Sequence, residues 1–94
     1  MLKEAIMSYG KYSDNQCKVI CALVDLAVDG AVYTTVIKLH DKTGVARPTI
    51  YSILNVLLMD KIIAKDPEQK GVFIIQQKKI DFIVNLYKKA TNTQ

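Results

Sequence analysis

The chain has 94 residues, a net charge of +4 and an apolar fraction of 50 %. This length suits a single domain, and so large an apolar fraction is atypical of a disordered chain. The longest apolar stretches are shorter than the about 20 residues that span a bilayer, and the amino terminus lacks the features of a secretory signal, so we expect a cytoplasmic protein with no membrane partner.

Two helices and a short strand are predicted for the first third of the chain. Residues 2–9 carry an apolar stripe at helical spacing. Ser13 and Gln16 are spaced as a capping box, so a second helix begins after Ser13. Its wide apolar face continues to about residue 29 and indicates a central core helix. The β-prone run 31–33 follows it.

Two more helices are predicted on either side of a glycine. Thr34 or Thr35 can cap a helix of about two turns, which ends at Gly44 because glycine adopts the left-handed conformation at low cost. A longer helix begins near Ala46 and tolerates Pro48 in its first turn.

The last third of the chain predicts a β-hairpin and a final helix. The β-prone runs 62–65 and 72–76 are separated by the turn-forming stretch 66–71. An amphipathic helix over 79–90 completes the chain. The sequence therefore predicts one domain, 1–94, of the α+β class, mainly α with a small β-hairpin.

The glycine between the two middle helices has apolar residues at fixed distances from it. They stand five residues before Gly44 and one, six and nine residues after it: Leu39, Val45, Ile50 and Ile53. Together with the Ile-Ile step into the hairpin, this spacing resembles the winged-helix (winged helix-turn-helix) family of DNA-binding domains. The resemblance covers residues 13–77 and implies a winged helix-turn-helix with extra N- and C-terminal helices.

The helix after Gly44 has a face suited to reading DNA. With Ile50, Ile53, Leu54 and Leu57 directed inward, six residues face outward: Arg47, Pro48, Thr49, Tyr51, Ser52 and Asn55. A helix fits the roughly 12 Å major groove. There Arg47 can donate two hydrogen bonds to guanine, Asn55 can pair with adenine, and Thr49 can contact a thymine methyl group. We therefore predict sequence-specific binding to double-stranded DNA.

Contacts to the DNA backbone set the register of a protein without reading sequence. Hydroxyl groups at a helix start and nearby lysines suit this purpose. The candidates are Thr34, Thr35, Lys38, Lys42, Lys65 and Lys70. At the hairpin tip, Asp66 and Glu68 weaken the attraction of the last two lysines for phosphate.

The two terminal helices lie outside the part that resembles the winged helix, and each has an apolar stripe. Pairing these stripes across a two-fold axis would bury them and place two recognition helices about 34 Å apart. We therefore predict a homodimer on a palindromic site. The predicted interface consists of Leu2, Ile6, Tyr9, Ile80, Ile83, Val84 and Tyr87. The alternative is that these helices cover the core of their own chain.

Catalysis and cofactor binding are not expected. The single histidine, His40, has no nucleophile placed for it by any motif, and the isolated glycines form no phosphate-binding loop. Cys17, Cys21 and His40 lack a fourth ligand for a metal ion, and two cysteines on one helix face provide no disulfide framework. We interpret His40 as a packing or capping residue.

A single domain of this kind is most similar to a small transcriptional regulator. A replication or partition factor of a virus or plasmid is one alternative. A protein-interaction module is another, because Val56, Leu58 and Met59 make the end of the proposed recognition helix more apolar than DNA contact requires.

Overall fold

The computed structural model describes residues 2–91. Over this range the chain forms α1 (Leu2–Tyr9), α2 (Asp14–Leu26), β1 (Ala31–Tyr33), α3 (Val36–Thr43), α4 (Arg47–Met59), β2 (Ile63–Lys65), β3 (Val72–Ile75) and α5 (Gln77–Thr91). The α+β class, mainly helical with a small hairpin, is confirmed. No helix within these residues is long and apolar enough to cross a membrane.

The second helix begins as predicted but ends earlier. Ser13 accepts a hydrogen bond from the Gln16 backbone, and the Gln16 side chain accepts one from the Ser13 backbone, which completes the capping box. The helix ends at Leu26 rather than near residue 29. Asp29 and Gly30 both have positive φ and form a tight turn, which pairs Val28 with Ala31, the first residue of β1.

The three strands form one antiparallel sheet in the order β1-β3-β2. In the hairpin, Lys65 lies opposite Phe73 and Ile63 lies opposite Ile75. The other edge of β3 pairs with β1, with Val32 opposite Phe73. The hairpin is therefore anchored to the segment that leads into α3.

The core lies between the five helices and one face of the sheet. Its largest fully buried side chains include Ile20, Leu23, Leu39, Ile50 and Leu57. Burying such a side chain contributes about 1.5–3 kcal/mol relative to leaving it exposed. These contacts fix α3 and α4 relative to each other.

The terminal helices pack against each other within one chain, which revises the predicted dimer interface. In α1, Ile6 is fully buried, and in α5, Ile80 and Ile83 are at most 4 % exposed. These three side chains belong to the core of the single chain because α1 packs on both α5 and α2. Within the single chain these three side chains therefore have almost no exposed surface with which to contact a second copy.

The other predicted interface residues lie beside the same core. They are half-buried and pack against it: Leu2, Tyr9, Val84 and Tyr87. The large apolar side chains left exposed on these helices are Met7, Phe82 and Leu86.

A buried tyrosine ties the start of α2 to the end of α4. The hydroxyl group of Tyr12 donates a hydrogen bond to Asp60 Oδ2 at 3.1 Å, and Lys11 Nζ lies 3.7 Å from the same oxygen. Burial raises the pKa of Tyr12 well above its ordinary value, and the bond to Asp60 raises it further. The folded protein therefore holds this hydroxyl in its protonated form.

We expect Tyr12→Phe to lower the free energy of unfolding at neutral pH by about 1–2 kcal/mol, because Asp60 loses a donor. Above pH 10 the unfolded chain loses the Tyr12 proton while the folded chain retains it, so wild-type stability falls as pH rises. The phenylalanine variant lacks this pH dependence. The difference in the free energy of unfolding between wild type and variant should therefore become smaller as pH rises above 10. Urea denaturation at pH 7 and at about pH 11 measures both effects. A constant deficit would contradict the pKa assignment.

Candidate nucleic-acid interface

The α3–α4 junction is a tight turn held by side chains. Thr35 caps α3 by accepting a hydrogen bond from the Lys38 backbone at 3.2 Å. Gly44 ends α3 in the left-handed conformation, with φ of 75°. His40 Nδ1 donates to the Val45 carbonyl at 2.8 Å, because a carbonyl oxygen only accepts. This bond links α3 to the residue after Gly44 and closes the turn between α3 and α4.

We expect Gly44→Ala to lower the free energy of unfolding by about 1–2 kcal/mol, because an L side chain is strained at this φ. Apart from its two chain neighbours, no atom of residues 2–91 lies within 4 Å of the position that its Cβ would occupy. The cost therefore arises from the backbone alone. Gly44→Asn is the matched control, since asparagine tolerates this conformation better. Equal losses in thermal or urea unfolding would indicate a packing effect instead.

The α4 helix presents the two faces that its sequence predicts. Ile50, Ile53, Leu54 and Leu57 are buried. The six residues predicted to face DNA are exposed: Arg47, Pro48, Thr49, Tyr51, Ser52 and Asn55. The helix carries one charged side chain, Arg47, in its first turn. Its exposed face therefore contains donors and acceptors without a carboxylate that would repel phosphate.

The hydroxyl groups near α4 are partly engaged. Ser52 Oγ donates to the Pro48 carbonyl at 3.3 Å, and Thr34 Oγ1 lies 3.4 Å from the Thr35 carbonyl. Both hydroxyl oxygens still have acceptor capacity, and these long bonds can be exchanged for bonds to a ligand.

A cleft of about 300 Å³ lies between the start of α3, the middle of α4 and the hairpin. Five of the predicted site residues line this cleft: Thr34, Thr35, Tyr51, Asn55 and Lys65. A neighbouring groove runs along the hairpin loop, and Tyr51, Lys65 and Lys70 line it together with Asp66 and Glu68. The structure thus brings half of the predicted residues into one connected surface.

Lys42 does not belong to this surface. It lines a different cleft, formed with α1 and α2, where Lys3 and Lys18 also lie. Its Nζ is 3.9 Å from Asp25 Oδ2. Lys38 is exposed on α3 and lines neither the α4 cleft nor the hairpin groove. Arg47, Pro48, Thr49 and Ser52 also line neither the cleft nor the groove, but they share the exposed face of α4 with Tyr51 and Asn55.

Phe73 and Leu58 were not among the site residues predicted from the sequence. Both are half-buried and line the cleft beside Tyr51. The predicted hairpin did not indicate Phe73, because a six-residue loop over 66–71 places Val72 opposite Lys65, whereas in the structure Phe73 lies opposite Lys65. The alternation of side chains along the strands then determines which face the pair shares.

The two thiol groups belong to the scaffold. Burial raises the pKa of Cys21 to about 12 and also raises the pKa of Cys17. Both are unpaired thiols on α2. Because the thiolate is the reactive form, neither cysteine has the character of a nucleophile at neutral pH.

No protein-family model matches this sequence, and no curated protein matches it at a significant level. A functional assignment therefore depends on the chain itself. Its strongest feature is the exposed face of α4, together with the cleft and the hairpin beside it.

Proposed function

We propose that this protein binds double-stranded DNA sequence-specifically through a winged helix-turn-helix and acts as a small transcriptional regulator. The observation that carries the proposal is the exposed face of α4, which has Arg47, Thr49, Ser52 and Asn55 on it and no acidic residue. Side chains of these types form the common hydrogen bonds and methyl contacts to base edges in the major groove.

The surroundings of α4 support this proposal. Buried apolar residues fix the helix against α2 and α3, so its exposed side chains have a rigid support. Lys65 and Lys70 lie on the hairpin beside α4, where a DNA backbone following the groove would pass. Thr34 and Thr35 offer hydroxyl groups on the other side of the cleft.

We further propose that the protein acts as a homodimer on a palindromic site. The exposed apolar residues Phe82 and Leu86 are four apart on α5, so they share one helical face. Covering this face with a second copy would remove apolar surface from water. Sedimentation equilibrium at micromolar concentration tests this: we expect twice the 10.6 kDa chain mass. A monomer in wild type, or a dimer unaffected by Phe82→Ser, would contradict the interface.

The experiment that tests DNA recognition is selection from a random duplex library with the purified full chain. We expect enrichment of one motif with two inverted half-sites about one helical turn apart. The Arg47→Ala variant should enrich a more degenerate motif, because one base contact is lost. Failure to enrich any motif would contradict sequence-specific recognition.

A second candidate function is a protein-interaction module. It is favoured by Met59, which is 81 % exposed at the end of α4, and by Tyr51, which is 60 % exposed. Aromatic residues and methionine are enriched at protein interfaces. Absence of DNA affinity even at low salt would favour this function over the first.

A further inference from the structure

The cleft beside α4 has the construction of a small-molecule site. Its walls are mainly apolar and come from three elements, with Val36 on α3, Tyr51, Leu54 and Leu58 on α4, and Phe73 on β3. Its volume of about 300 Å³ lies at the lower limit for ligand-binding pockets. The cleft therefore suits a compact organic molecule.

The charged and polar groups of the cleft favour an anion. Lys65 is the cationic residue of the lining, and no Asp or Glu lines the cleft among residues 2–91. Lys65 forms no salt bridge within the described chain, whereas Lys11, Lys18 and Lys42 are each within 4 Å of a carboxylate. The neighbouring Asp66 accepts a hydrogen bond from the Glu68 backbone at 2.8 Å, which directs one of its oxygens into the hairpin loop. An ammonium group at the edge of an apolar cleft attracts a single carboxylate.

We infer that this cleft binds a small organic monocarboxylate, with its apolar body between Tyr51 and Phe73 and its carboxylate on Lys65. The amide of Asn55 lies in the same lining and can donate a second hydrogen bond. One positive charge and apolar walls in the lining match one carboxylate attached to an apolar body.

Binding at this position regulates DNA recognition, a step that rests on the proposed function. Tyr51, Asn55 and Lys65 belong both to the cleft and to the surface proposed to contact DNA. A carboxylate and a DNA duplex cannot both use the same side chains, so each lowers the affinity for the other by the same factor.

The first test measures ligand binding by the full chain without DNA. Benzoate is titrated and the backbone amide signals are followed by NMR, with the uncharged benzamide as its matched probe. We expect saturable shifts at Tyr51, Asn55, Lys65 and Gly71, with a Kd of roughly 1 mM or tighter for benzoate. Benzamide should bind about tenfold more weakly, because it cannot pair with the lysine charge.

Variants locate the carboxylate. Lys65→Gln should weaken benzoate binding about tenfold and leave benzamide binding unchanged. Lys78→Gln removes an exposed lysine on α5, outside the cleft, and should change neither. Absence of saturable shifts with benzoate, 2-naphthoate and hexanoate at up to roughly 10 mM would overturn the site. Equal loss in both lysine variants would also overturn it, since it would indicate a net-charge effect.

The second test adds a DNA duplex that the protein binds. Benzoate should lower DNA affinity in wild type by a factor that grows with its concentration above Kd, and much less in Lys65→Gln. Unchanged DNA affinity at saturating benzoate would overturn the regulatory role. Benzoate binding in a protein that binds no DNA would instead count against the proposed function and leave the carboxylate site standing.

Discussion

Replacing Arg47 by alanine is expected to lower the affinity for a specific DNA site by about 1–3 kcal/mol, or roughly 5- to 150-fold. Arg47 is exposed in the first turn of α4, so its loss should not disturb the fold. A cation at a helix start is slightly unfavourable, and alanine there should leave the free energy of unfolding unchanged or slightly higher. The loss should be confined to the specific site and should relax the base preference at one position.

Anisotropy titrations at several salt concentrations distinguish a base contact from a phosphate contact. If Arg47 contacts bases, the slope of log affinity against log salt concentration stays unchanged in Arg47→Ala. If it contacts a phosphate, that slope falls by about one, and affinities for specific and random duplexes fall together. The second result would contradict the base-reading role. Lys88→Ala, on the exposed end of α5, is the control for net charge.

Replacing Leu57 by alanine is expected to lower the free energy of unfolding by about 2–5 kcal/mol. Leu57 is 0 % exposed on the inward face of α4, and its truncation leaves a cavity in the core. Small domains have free energies of unfolding of about 5–15 kcal/mol. A substantial fraction of the variant molecules should therefore be unfolded at elevated temperature. Urea denaturation followed by circular dichroism measures the change.

Met59 provides the matched control for this prediction on the same helix. It lies two residues beyond Leu57 and is 81 % exposed. Met59→Ala should change the free energy of unfolding by no more than about 0.5 kcal/mol. Similar effects of the two substitutions would contradict the assignment of inner and outer faces on α4, on which the DNA-binding proposal depends.

The orientation of α4 could be predicted because two local signals agree. The apolar spacing of Ile50, Ile53 and Leu57 follows the helical period, and Gly44 marks the turn before the helix. The capping box of α2 could be predicted in the same way, because Ser13 and Gln16 are three residues apart. These features depend on residues close in sequence, where spacing alone determines the outcome.

The end of α2 shows where such reasoning fails. The apolar pattern continues through Val28, but the positive φ angles of Asp29 and Gly30 form a tight turn that pairs Val28 with Ala31. A backbone pair across this turn takes the place of the last helical turn. Apolar periodicity does not report this competition, because Val28 fits both patterns and is exposed in the fold.

The terminal helices and the cleft depend on contacts between distant parts of the chain. An apolar stripe on α5 indicates that something covers it, but not whether the cover is α1 of the same chain or a second copy. The placement of Phe73 beside Tyr51 likewise requires the strand register and the packing of the hairpin beside α4. Neither is encoded in a short stretch of sequence.

The most direct test of DNA recognition compares two duplexes at physiological salt. Fluorescence anisotropy measures binding of the wild-type chain to the duplex recovered by library selection and to a shuffled duplex of equal composition. The account predicts a preference of about 10³-fold or more for the selected duplex. Equal affinities for the two duplexes, or no binding to either at low salt, would contradict it.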